Sequence, residues 1–253
     1  MPLEFLPVDN QSPGGFDNGR VTERRPIMME RRAGAERYGP LFYWAWAVSE
    51  SGGFIAEHFH RGFEIVSVVL EGTIEHRDSL GTWKSLNAGD VQVMHTNSGV
   101  SHSERFAADV HTEMFQIWFE PDLRETTALP PTYTDFPASA FPWKNAGGNR
   151  VKPILGEDAP APLRTDAHLH EVLLQPRGAI TFTKHDSHAV IVAISGEGSI
   201  AMGEQLVNLS KGDAAVMTMV PGESFRVRAG DAAQFRYAQI VVPVRTMYPL
   251  YKF

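Results

Sequence analysis

The sequence predicts an all-β fold built from two copies of one domain. Three observations carry that expectation. Short apolar runs alternate with Gly, Asp, Asn and Pro turn residues, and convincing helical periodicity is scarce. A pattern in the first half returns 123 to 124 residues later. A passage rich in proline separates the two occurrences.

Taken in order, the opening segment to about Gly19 is polar and Gly-rich, and is expected to be irregular. From Leu41 onward, β-branched and aromatic residues bounded by turn signals predict strands at Phe42–Val48, Glu64–Leu70, Thr73–Arg77, Trp83–Leu86, Val91–Met94 and Thr112–Phe119. Asp122–Thr127 reads as one short helix. The passage holding Pro130, Pro131, Pro137, Pro142, Pro153, Pro160 and Pro162 reads as a connector. Strands are then expected at His168–Leu174, Ala179–Thr183, Ala189–Ser195, Ser199–Met202, Gln205–Leu209, Ala214–Met217, Ser224–Val227 and Phe235–Val242. Many short strands at even spacing suggest a barrel or sandwich. The expected domains are 1–125, a connector 126–165, and 166–253.

The repeat is carried by turn residues. Gly72 corresponds to Gly196, Gly89-Asp90 to Gly212-Asp213, and Gly99 to Gly222. Each Gly-Asp pair is followed by a short strand, a methionine and another glycine.

Composition narrows the function classes. The formal net charge is −7 and no block of like charge stands out, so direct charge-driven binding to nucleic acid is not expected. There are no cysteines, which removes disulfides, thiolate metal sites and thiol nucleophiles together. No apolar run reaches the roughly 18 residues of a membrane span, and the N-terminus lacks the pattern of a secretory signal. A cytoplasmic protein is expected.

His58 and His60 stand at i, i+2, and so do His102 and Glu104. On a strand, side chains two apart share a face, whereas on a helix they diverge. Two such strands side by side would bring three imidazoles and one carboxylate to one point. That donor set suits a single divalent transition metal. The repeat supplies a control: the second copy places Phe182 and Lys184 where the first has His58 and His60, and Phe225 and Val227 where it has His102 and Glu104. It keeps the turn glycines and loses all four donors, which favours a functional site in the first copy alone.

The run His58-Phe59-His60-Arg61-Gly62-Phe63-Glu64, then His76-Arg77-Asp78-Ser79-Leu80-Gly81, then Gly89-Asp90-Val91-Gln92 and Ser98-Gly99-Val100-Ser101-His102-Ser103-Glu104 resembles the pirin family of the cupin superfamily. The match is dense from His58 to Glu104. The resemblance implies two stacked cupin-type β-barrels, a bicupin of double-stranded β-helices, with metal in the N-terminal barrel only. It places the metal ligands at His58, His60, His102 and Glu104, and it favours Fe(II), with Mn, Ni, Co, Cu and Zn also suited to the donors. Phe59 stands where the family usually has proline. Glu64 is left as a barrel residue or a support to the ligands.

The remaining histidines have blander readings. His76, His95 and His111 are expected on the surface or in ordinary hydrogen bonds, with His95 also placed to support a ligand. His168, His170, His185 and His188 are expected to be structural. Phe42, Tyr43, Trp44 and Trp46 are expected to pack the core, or alternatively to wall a planar ligand. Arg61 reads as a structural donor, and Gly62 and Gly99 as turn residues.

Two functions follow from the resemblance. The first is a quercetin 2,3-dioxygenase-like enzyme taking a small planar aromatic substrate, with Glu104 as the base. The alternative is a redox-responsive regulator that binds a protein partner, a transcription factor or a metabolic enzyme. A metal-dependent isomerase or sugar-binding cupin ranks behind both.

Overall fold

A computed structural model of the chain describes residues 3–28 and 37–251. The other residues of the expected domains 1–125 and 166–253 lie outside the described residues. Among those described, no helix is long and apolar enough to cross a membrane. Contacts divide the chain into two compact units. The N-terminal unit is Ser12–Ala140 with Ala161–Thr165 and Tyr248–Phe253; the C-terminal unit is Met1–Gln11, Phe141–Pro160 and Asp166–Met247.

Each unit is a pair of antiparallel sheets. In the N-terminal unit the large sheet runs Thr132–Phe136, Val91–His95, Glu64–Glu71, Thr112–Phe119, Leu41–Ser49, Val21–Ile27, Ser12–Phe16. Its small sheet runs Gly53–His60, Val100–Phe106, Thr73–Asp78, Trp83–Asn87. Ala47, Val69 and Met114 from the large sheet meet Ile55, Ile74, Leu86 and Phe106 from the small one, so the core lies between the two. Burial of this kind stabilises by about 1.5–3 kcal/mol per large apolar side chain.

The C-terminal unit repeats the plan. Its large sheet runs Leu3–Leu6, Ala214–Met219, Ser187–Ser195, Phe235–Pro243, His168–Leu174, Asn149–Leu155, Lys144–Ala146. Its small sheet runs Ala179–Phe182, Phe225–Ala229, Gly198–Met202, Gln205–Leu209. Position for position, the strand order is the same in both units.

The repeat extends to hydrogen bonds. Asp90 accepts from the Asn87 and Ala138 amides at 2.8 Å each, and Asp213 accepts from Ser210 at 2.9 Å and Val8 at 3.0 Å. Gly72 and Gly196 have φ of 72° and 76°. A Cβ would lie 2.5 Å from the His111 carbonyl oxygen at the first and 2.0 Å from that of Gln234 at the second. Only glycine fits such a corner.

The structure departs from expectation in two segments. The opening segment holds strands at Leu3–Leu6 and Ser12–Phe16 rather than irregular chain. Leu3–Leu6 pairs with Ala214–Met219, which places residues 3–11 in the C-terminal unit. Both are edge strands, held by one neighbour through backbone bonds, so a polar composition did not reveal them. The proline-rich passage likewise holds strands at Thr132–Phe136, Lys144–Ala146 and Asn149–Leu155. Most of its prolines flank these strands; Pro153 lies inside one, where the register slips before Leu155.

Candidate metal centre

The small sheet of the N-terminal unit builds the site. His58 and His60 project from Gly53–His60, and His102 and Glu104 from Val100–Phe106. His102 pairs directly opposite His58 in the antiparallel register. The three imidazoles lie close together at steep angles to one another, with ring centroids 4.6 Å (His58–His60), 4.5 Å (His58–His102) and 4.9 Å (His60–His102) apart. One donor nitrogen from each falls within 4.8 Å of the others.

Glu104 belongs to a second, overlapping cluster. Against Gly53–His60 the register slips between His102 and Glu104, leaving Glu104 opposite Ile55; against Thr73–Asp78 it runs unbroken and sets Glu104 opposite His76. His76, His102 and Glu104 offer donor atoms within 4.8 Å of one another. The four donors singled out in the sequence therefore form two triads sharing His102. His76, expected to be an ordinary histidine, completes the second.

The donors are buried except His58, which is half-buried. His102 and His76 are fully covered, Glu104 is 1% exposed and His60 7%. Both nitrogens of His102, Nε2 of His60 and Nδ1 of His76 have no hydrogen-bond partner among the described residues. Leaving such atoms bare costs about 1–3 kcal/mol each, a cost that a coordinated cation removes. His58 Nδ1 lies 2.8 Å from the Ala56 carbonyl, which can only accept. The proton is therefore on Nδ1 and the lone pair on Nε2.

Burial, reinforced by the neighbouring His58, lowers the His60 pKa to about 3. Burial, with His58, His60 and His76 nearby, lowers that of His102 to about 2. Both are neutral at ordinary pH, the form that binds a metal. Burial raises the Glu104 carboxyl to about 7, against the opposing effect of Gln116. The Gln116 amide donates to both carboxylate oxygens at 3.0 Å, and its own carbonyl accepts from the Trp118 indole N–H at 3.1 Å.

Trp118 also connects the triad to a cavity of about 260 Å³ lined by Phe42, Phe63, Trp118, Leu123, Arg61 and Tyr251 among others. The His60 ring lies 5.1 Å from Trp118 and 5.2 Å from Phe63. Tyr43 stacks on Trp118 at 4.0 Å. The aromatic strand thus divides: Phe42 and Tyr43 join this wall, whereas Trp44 and Trp46 pack against Phe115.

Glu64 serves the scaffold. It accepts from the amides of Arg164 and Thr165 at 2.8 and 3.1 Å and lies 2.8 Å from His95 Nδ1. Burial works to raise its carboxyl, but the bonds from His95, Thr165 and Arg164 outweigh it and hold the pKa below the usual range. His111 sits between Glu50 and Glu113 at 2.9 Å each. Gly62 and Gly99 both have positive φ, 88° and 131°. In the C-terminal unit Phe182 pairs opposite Phe225, as His58 does opposite His102, and the rings stack at 5.0 Å. Among the described residues, no candidate cluster includes His168, His170, His185 or His188.

Sequence reasoning missed His76, Gln116, Trp118 and Phe63. Gln116 and Trp118 sit at i, i+2 after the core residue Met114 on one strand, so their shared inward face was readable from parity.

Comparison with known proteins agrees with this architecture. The Pirin family model matches residues 23–119. A pirin-like protein of Caulobacter vibrioides is 31% identical over 183 residues, covering 70% of this chain and 76% of its own length. The chain belongs to the pirin family. The match to pirin-like protein 2 of Arabidopsis thaliana is 35% identical over 159 residues, 60% of this chain, and spans about half (49%) of that protein's length. The quercetin 2,3-dioxygenase of Escherichia coli K12 is 37% identical over 87 residues, 34% of this chain and 36% of that one. Among solved structures, the bacterial pirin YhhW of Escherichia coli, in complex with nickel(II), superposes with a TM-score of 0.77 at 19% identity, covering 95% of this pirin and 99% of YhhW.

Proposed function

We propose that this pirin is a mononuclear metal-dependent dioxygenase acting on a flavonol or a similar planar enol or catechol. The observation that carries the reading is a cluster of three imidazoles, those of His60 and His102 buried with unpartnered nitrogens, abutting an aromatic-walled cavity through His60. The donor set fits a divalent transition metal, held by His58, His60 and His102 with Glu104 beside them. Iron is the favoured metal on family grounds; a relative of the same fold carries nickel(II). Such an ion, when bound, supplies Lewis acidity and a template that orients the substrate.

The chain's own residues do the rest. Trp118, Phe63 and Phe42 flank a flat ring and exclude water from the histidine side of the cavity. Glu104, with its carboxyl near pH 7, is matched to taking the proton of a weakly acidic hydroxyl. Gln116 holds both carboxylate oxygens in place, and Trp118 orients Gln116, so one side chain joins the cavity wall to the base. The name carried by the Escherichia coli relative supports the substrate class.

The test is oxygen-dependent consumption of quercetin, with release of carbon monoxide, by protein loaded separately with Fe, Mn, Co, Ni and Cu. Turnover abolished by His102→Ala supports the reading. No oxygen-dependent turnover with any metal shown to be bound overturns it.

A further inference from the structure

We propose that His76, His102 and Glu104 form an inner subsite able to bind a divalent transition metal without His58 and His60. His76 is built as a ligand would be. Its Nε2 lies 3.0 Å from Asp78 Oδ2, an atom that only accepts, so the proton is on Nε2 and the lone pair on Nδ1. Asp78 is fixed in turn, its Oδ1 accepting from the Leu80 and Thr82 amides at 2.9 and 3.0 Å. A carboxylate that fixes the tautomer of a histidine from behind is the usual support of a metal ligand. The ring itself is held by Tyr133, stacked at 4.8 Å.

The free lone pair has a reason to exist only if something fills it. Nδ1 of His76 is buried and unpartnered, and so are both nitrogens of His102, whose ring lies 5.3 Å from that of His76. Glu104 is the third member. It is buried, and its carboxylate accepts from the neutral amide of Gln116 rather than from a cation. Two neutral imidazoles and one carboxylate are a complete donor set for a borderline divalent ion. The interior face continues this polarity: Gln92, Ser67 and Gln116 stand side by side in register, and the Gln92 amide and Ser67 hydroxyl have no partner among the described residues.

The subsite shares His102 with the outer triad, so an ion occupies one position or the other. Its consequence for catalysis rests on the function proposed above. In the outer position Glu104 is free to act as base, and in the inner position it is a ligand.

Cobalt(II) added to metal-free full-length protein tests this through its visible absorption, which reports ligand number and type without any turnover. A His58→Ala/His60→Ala double variant is expected to bind one equivalent, more weakly than wild type. Adding His76→Ala should abolish that binding. Asp78→Asn in the double variant serves as a second probe in case the triple variant does not fold, and should weaken binding about 10–100-fold, as loss of an orienting partner does. A folded double variant that binds no cobalt overturns the inner subsite and leaves the three-histidine centre standing. Equal binding with and without His76 or Asp78 overturns it too. Wild-type protein that binds no cobalt overturns both.

Discussion

His102 carries the most at the residue scale, because it is the one donor common to both triads. Its neutral state also shapes stability. His60 and His102 have folded pKa values near 3 and 2, below the ordinary 6.5 that the unfolded chain restores. The unfolded state therefore binds more protons below pH 6.5, and each histidine's contribution is present above that value and lost as pH falls. The loss is about 2 kcal/mol per histidine between pH 6.5 and 5. Glu104 acts in the opposite sense: its folded value near 7 exceeds the usual 4.5, so its contribution is present below 4.5 and lost as pH rises through 7. Two histidines outweigh one carboxyl. Urea unfolding of the metal-free protein should show stability falling from pH 6.5 to 5, with His102→Ala removing about 1.4 kcal/mol of that fall per pH unit. An unchanged slope in the variant would contradict the burial argument. Gln116→Leu removes the donor that opposes burial, so the Glu104 carboxyl should rise above 7. Carboxyl titration followed by infrared spectroscopy would register the shift, and a downward movement would contradict it.

At the scale of elements, the repeat is enforced at corners. Gly72 and Gly196 turn the chain where a Cβ would strike a backbone carbonyl, which cannot step aside. Alanine at either site is expected to cost about 1–3 kcal/mol or more, measured by chemical denaturation. A neutral result would mean that the corner relaxes. The strand pair Gly53–His60 and Val100–Phe106 shows what the same corners carry: histidines in one unit and a stacked Phe182–Phe225 pair in the other. The edge strand Leu3–Leu6 completes the C-terminal unit, with Leu3 2% and Leu6 8% exposed. Deleting residues 2–11 should therefore raise amide exchange in Ala214–Met219 while leaving cobalt binding near its wild-type affinity. Loss of cobalt binding would show that the two units depend on one another.

For the whole molecule, metal and folding are linked. Bare donors destabilise the core of the N-terminal unit, and an ion that binds the folded chain alone stabilises it by about 4 kcal/mol at a concentration 1,000 times its Kd. Adding nickel or cobalt should raise the unfolding temperature of wild type, and chelator should reverse the rise. His102→Ala should show neither effect; a full rise in that variant would place the ion elsewhere.

Much of this was legible in the sequence because it is local. Strand parity put His58 with His60 and His102 with Glu104, turn glycines marked the repeat, and the offset exposed Phe182 and Phe225 as the histidines' replacements. By itself the sequence determined the all-β class, the duplication and which copy keeps the donors. The tertiary structure alone decided the rest. Edge strands such as Leu3–Leu6 are defined by a partner some two hundred residues away, which no local pattern encodes. Unbroken antiparallel pairing of Val100–Phe106 with Thr73–Asp78 set Glu104 opposite His76, a neighbour that spacing along its own strand does not name. Spacing along a strand fixes the face on which a side chain lies, whereas register against the neighbouring strands fixes which side chains meet.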